Sequence, residues 1–285
     1  MPLANSLPRA VSLTSRWCGR AASIAPQEPL CWPAAQLDVS LHMNTDILLN
    51  NFAIRSFRDM ADEDYIAARM AYRAQLVPQF LWLSLQALEK YLKCILVLNR
   101  IPAPKSHSLA LCLKALEANR KFAVRLSDVA KKFIEYIDTF GSYRYFESSY
   151  YTRGPELVLL DRAVWELRRF ARPLDYTIKL FDGKKVEMLP HELNANEAAE
   201  KRSPHKFYII GGRLERIIED LHHPAREPFL WQNAYFGKRP RKRVRIRAYS
   251  IGANSPLALH PEILDEVRKY VFLPEKVVAA YGSAS

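Results

Sequence analysis

The chain has 285 residues, a hydrophobic share of 49%, an aromatic share of 11% and a formal net charge of +12. That much apolar sequence buries a core, which excludes a chain disordered throughout, and nine glycines are few for a barrel or sandwich full of tight turns. The length allows one large domain or two ordinary ones.

More than half of the excess charge lies in one stretch, KRPRKRVRIR (238–247), whose basic residues are Lys238, Arg239, Arg241, Lys242, Arg243, Arg245 and Arg247. A local run of this kind suits a patch that meets phosphate, or alternatively an edge strand protected by charge. The four cysteines, Cys18, Cys31, Cys94 and Cys112, form no CxxC pair, and the histidines show no zinc-ligand spacing. The sequence thus predicts no metal or other cofactor and a reducing, cytoplasmic setting.

Residues 1–42 carry Arg9, Arg16 and Arg20 with no acid before Glu28. They mimic a transit peptide, but read more simply as a disordered extension or an over-extended start before Met43. The stretch ADEDYIAARMAYRAQL (61–76) has acids at its front, and Ile66, Met70, Tyr72 and Leu76 near helical spacing, which predicts a first helix. Pro78 suits the first turn of a second. There Leu81, Leu85, Leu88, Leu92 and Ile95 share a face, while Glu89 and Lys93, four apart, mark a narrow polar strip. Those charges, with Lys90, also exclude Phe80–Leu98 as a membrane span.

NRIPAPK ends that helix at its prolines. Ser106 is the expected cap of a third helix and Ser127 of a fourth, which runs to Gly141. A tyrosine-rich link (142–154) follows, and Pro155 opens a fifth helix that Pro173 stops. Five helices with short links from about 60 to 172 predict an antiparallel bundle. Beyond it, Asp182-Gly183 signals a hairpin within 177–189, and HELNANEAAEKRSP (191–204) reads as a polar linker. GGRLERIIEDLHH (211–223) reads as a helix. RVRIRAYS (243–250) reads as a strand with Val244 and Ile246 facing a core, and 260–272 as a final helix. The fold class expected is mainly α. A helical bundle over 43–175 is followed by a hairpin and linker over 176–203 and a smaller, basic, mixed α+β region over 204–285.

The run QALEKYLKCIL followed by KSHSLALCLKAL, preceded by DYIAAR (64–69) and followed by RYF (144–146), resembles the HEPN family over roughly residues 60–172. The resemblance implies a helical bundle and three roles: nucleotide binding, metal-independent RNA cleavage in toxin–antitoxin or anti-phage systems, or protein interaction. It also implies a homodimer, and a separate nucleotidyltransferase or antitoxin as partner. That no membrane partner is expected follows instead from the lack of a long uncharged apolar run. The nuclease members use an arginine and a histidine separated by four to six residues, brought together across the dimer. Arg100 and His107 here are separated by six residues. In that role His107, in the first turn of its helix and held neutral by the dipole, would take the 2′-hydroxyl proton, while Arg100 stabilised charge on the phosphate.

The family's pair lies nearer the later helices, around Arg144, after which YFESSYYT offers no histidine. A nucleotide or RNA groove lined by Lys90, Lys93, Arg100, Lys105 and His107 is the second possibility. Arg144 and Tyr145 in the tyrosine link would hold phosphate and stack a base. No Gly-Ser with paired aspartates, P-loop or GxGxxG occurs, so the chain is not itself the transferase. The reading that follows is a nucleotide- or RNA-binding protein aided by the 238–247 run. Its alternatives are an endoribonuclease using Arg100 and His107, and a dimeric interaction module without catalysis.

Overall fold

The computed structural model describes residues 45–118, 124–143, 146–241, 243–246 and 250–282. The architecture is mainly α. Its first helical run starts earlier than the sequence pattern suggests. Helix α1 (Thr45–Phe52) passes through a π-helical turn (Ala53–Arg58) into α2 (Asp59–Arg73) with helical dihedrals at both joints. The acids at 59–64 are therefore in mid-run, and Asp62 is fully buried rather than placed at a dipole.

Helix α3 (Val77–Leu98), with Pro78 in its first turn, is the centre of the bundle. The leucine face read from the sequence is its core face, Leu81, Leu85, Leu88, Leu92 and Ile95 all being buried. The polar strip is narrower than expected, because Glu89 is also buried. The loop after α3 leads to α4 (Leu109–Glu117), whose cap is Ser108 and not Ser106. Ser108 Oγ accepts from the Leu111 N–H, and Asp138 accepts from the N–H groups of Leu109 and Ala110 at 2.7 and 3.3 Å. A carboxylate from another helix thus decides where α4 starts, satisfying donors that Ser106 would have left exposed.

Helix α5 (Asp128–Phe140) has the expected cap, Ser127 Oγ accepting from the Ala130 N–H. It ends at Gly141, where a Cβ would stand 2.8 Å from the Leu81 carbonyl oxygen, so this end of α5 can press on α3 only through glycine. Strand β1 (Tyr150–Thr152) leads to α6 (Glu156–Arg168), which completes the five-helix bundle.

The chain then makes the expected hairpin, β2 (Thr177–Lys179) against β3 (Lys185–Glu187), with Gly183 at φ +83 in the turn. The supposed linker is instead α7 (Leu189–Glu200), with Pro190 in its first turn. Helices α8 (Arg213–Glu219) and α9 (Arg226–Leu230) follow. Leu214, Ile217, Phe229 and Phe236 join one hydrophobic cluster with Tyr65, Leu88 and Leu160, so residues 207–236 close the bundle's core. The Tyr65 ring meets those of Phe229 and Phe236 at 6.0 and 5.8 Å, and each buried Phe contributes roughly 1.5–3 kcal/mol.

The described residues 243–246 form no strand, and Ile246 is exposed. The strand lies further on, β4 (Ile251–Ala253), antiparallel to β1 with Tyr151 opposite Gly252. The single helix expected at 260–272 is broken. Short helices α10 (Pro256–Leu259) and α11 (Leu264–Val267) flank a 3₁₀ turn at Pro261, and the last helix is α12 (Glu275–Gly282). Among the described residues no helix is long and apolar enough to cross a membrane.

Candidate functional site

Arg100 follows the end of α3 with φ +57, the left-handed conformation that closes a helix, and its side chain completes that closure. One guanidinium nitrogen donates to the carbonyls of Val97 and Leu98, and the group also holds α1 through Asp46 Oδ1 at 2.8 Å and Asn50 Oδ1 at 3.0 Å. Every one of these contacts joins helix ends.

His107 has a different environment. It precedes the Ser108 cap, so it lies outside the first turn of α4, and the imidazole is 72% exposed. Its Nδ1 stands 3.1 Å from both oxygens of Glu89, which is buried on α3 and also accepts from Lys93. In the tautomer whose Nδ1–H donates to the carboxylate, Nε2 is left as an acceptor. Glu89 is nine residues before the end of α3, about 14 Å along the axis. Arg100 and His107 share no partner among the described residues, and one chain holds them by separate groups.

The other residues of the supposed groove are divided. The Lys90 ammonium donates to Asp64 of α2, Lys93 is taken by Glu89, and Lys105 is exposed in the loop. Arg144 and Tyr145 lie outside the described residues, as do Lys242 and Arg247.

The basic run presents its charges more freely. Lys238, Arg239, Arg241, Arg243 and Arg245 are all exposed, and among the described residues none is ion-paired to a carboxylate. The run is anchored at both ends. Before it, Phe236 is buried, and Asn233 accepts from its N–H at 2.9 Å while donating to the Tyr65 hydroxyl. Further on, Gln232 accepts from the Arg245 N–H at 3.0 Å.

Residues 54–162 match the family model of the HEPN domain. The chain carries a HEPN domain. No curated protein and no solved structure matches the chain. The HEPN match runs from the π turn to the middle of α6, so the segments that close the core from Ala163 onward lie beyond it.

What joins those segments to the HEPN domain is a set of buried ions that the sequence did not reveal. Arg168 donates to Asp62 of α2 and to Glu215 of α8, and Tyr91 donates to Asp62. Burial alone would lower the Arg168 pKa, but the two carboxylates outweigh it and hold the guanidinium well above its ordinary value. A second set places Arg69 against Asp161 and the Trp231 carbonyl. The charge pairs are separated by 106 and 47 residues for Arg168, which leaves no local spacing to read. These groups are buried and pair with one another, though Arg69 Nε and Asp161 Oδ2 make no hydrogen bond, and they build the scaffold rather than a site.

Proposed function

We propose that this HEPN-domain protein binds RNA, with the 238–247 segment taking the phosphate backbone. The observation that supports it most is the row of exposed cations from Lys238 to Arg245 with no carboxylate partner among the described residues, carried on a loop anchored through Phe236 and Gln232. An anchored row keeps its charges close together, so phosphate contact releases counterions at a low ordering cost. A homodimer through the bundle, and a toxin–antitoxin or phage-defence setting beside an antitoxin or nucleotidyltransferase, belong to the same reading and rest on the family. The direct test is fluorescence anisotropy with labelled single-stranded RNA, comparing wild type with the triple variant Arg239→Ala, Arg241→Ala and Arg243→Ala. Loss of at least tenfold in affinity is expected, and equal affinity would refute it.

One observation favours a second reading. A buried Glu89 orienting an exposed His107 through Nδ1 is the arrangement of a general base and its positioning carboxylate. Under that reading His107 would act on a 2′-hydroxyl, with the arginine supplied by a partner protomer.

A further inference from the structure

A second, smaller hydrophobic cluster stands apart from the main core. Leu257 of α10, Leu264 of α11 and Val277 of α12 form it, with Tyr143 packed against them. It is tied to the tyrosine link by the β1–β4 pairing and by the Ser255 N–H, which donates to Ser149 Oγ at 3.0 Å.

A cavity of about 300 Å³ opens at this cluster, and Leu257, Val267 and Leu273 belong to both. Its lining is apolar except for Ser255 and Glu147. The Ser255 hydroxyl is taken up in capping α10, where it accepts from the Leu257 N–H at 3.1 Å. Glu147 is buried, and among the described residues no cation lines the cavity. Such a lining disfavours phosphates and carboxylates, which would meet a carboxylate in apolar surroundings.

Two further features point to an occupant. Phe272 is 86% exposed and Val271 51%, although both line the cavity, so its mouth presents apolar surface to water. Phe146, also in the lining, holds φ +59, a left-handed conformation that bulky residues rarely adopt. Its ring lies 5.5 Å from that of Tyr150. Strain of this kind recurs at binding sites, and here it sets an aromatic wall.

We propose that this cavity binds an uncharged aromatic molecule of about two rings. An apolar cavity of about 150 Å³ holds benzene, so one of twice that volume suits a fused pair with a short substituent. Apolar burial drives the binding, and Glu147 sets the selectivity against anions. The ion pairs Arg268–Asp265 and Lys269–Glu266, on α11 and the turn after it, give a polar surround to an apolar interior, as in small-molecule sites. No residue of the 238–247 run takes part, so the site stands or falls independently of the RNA reading.

The test is fluorescence titration of the full chain with the uncharged naphthalene dye prodan, then competition by naphthol and by naphthoate. One equivalent of dye is expected to bind, and naphthol to displace it at least tenfold better than naphthoate. Ile263→Trp and Phe272→Ala alter exposed residues of the lining. Each should weaken dye binding at least fivefold with an unchanged thermal midpoint. Glu147→Gln should bring naphthoate close to naphthol, a change of selectivity that a merely loosened cavity would not give. Absence of dye binding, equal displacement by naphthoate in wild type, full binding by both lining variants, or an unchanged preference in Glu147→Gln would each overturn the proposal.

Discussion

Arg168 and Asp62 meet through two hydrogen bonds, Nε to Oδ1 at 2.8 Å and Nη2 to Oδ2 at 3.0 Å, with both side chains at 1% exposure or less. The same guanidinium binds Glu215 at 2.6 and 2.7 Å, so one residue at the end of α6 ties α2 to α8. Arg168→Met would leave two carboxylates buried and unpaired. The expected loss is about 3–5 kcal/mol of unfolding free energy, read by urea denaturation. A loss under about 1 kcal/mol would mean that water reaches these groups in solution.

Stability should depend on acid through Glu215. Burial raises its carboxyl, but the hydrogen bonds and charge of Arg168 and the Ile209 N–H pull it below the ordinary 4.5. A depressed folded-state pKa gives stability that is fully present above about pH 4.5 and is lost as pH falls through the lower folded value. Asp62 works in the opposite sense, since burial pushes its carboxyl up beyond what Arg168 and Tyr91 pull down. Thermal midpoints measured from pH 6 downward should fall below about 4.5, and Glu215→Gln should flatten that fall. An equally steep fall in the variant would assign the acid sensitivity to other groups.

Cys94 and Cys112 should be inert in the folded protein. Burial pushes the Cys94 thiol up to about 12 and the Cys112 thiol up to about 11. At pH 8 the thiolate is then about one part in ten thousand and one in a thousand, too little for ready alkylation. Iodoacetamide followed by peptide mapping should leave both unmodified in buffer and label both in urea. Labelling of either in buffer would show local opening of the α3–α4 contact.

Arg100 and His107 should be separable from RNA binding. Arg100→Ala removes a partly exposed clamp to Asp46 and is expected to cost at most about 1 kcal/mol. A mixed RNA pool in EDTA should stay intact with wild type, Arg100→Ala and His107→Ala. Cleavage by wild type that both variants lose would make the Glu89-oriented histidine catalytic and reverse the ranking of the two readings.

How legible each part was depends on where its partners lie. The α3 leucine face, the Ser127 cap and the Asp182-Gly183 hairpin could be read because their causes are neighbours in sequence. Ser108 displaced Ser106 as a cap because Asp138, on another helix, completes the site. Helix α7 escaped because it lacks an apolar stripe. It packs through Leu189 and Leu193 and through hydrogen bonds, Arg169 donating to the Asn196 carbonyl at 2.9 Å and Arg172 to Glu192. The buried Glu89 looked like one half of a solvated pair, since His107, which meets it from the loop, lies eighteen residues away. Of the candidate sites, the basic run was visible as charge. Its described residues 243–246 form no strand, and Gln232 holds the Arg245 N–H. The apolar cavity was invisible, being assembled from the tyrosine link, α10 and the segment from Ile263 to Leu273.

The central claim is that the 238–247 cations contact RNA phosphates, and the salt dependence of binding tests it most directly. Anisotropy titrations of single-stranded RNA between about 50 and 200 mM salt give a log–log slope of about 0.7 per neutralised phosphate. Replacing Arg239, Arg241 and Arg243 by alanine should reduce the magnitude of that slope by about 2 and weaken binding across sequences alike. A slope and affinity identical to wild type would contradict the account and move the RNA surface elsewhere on the HEPN protein.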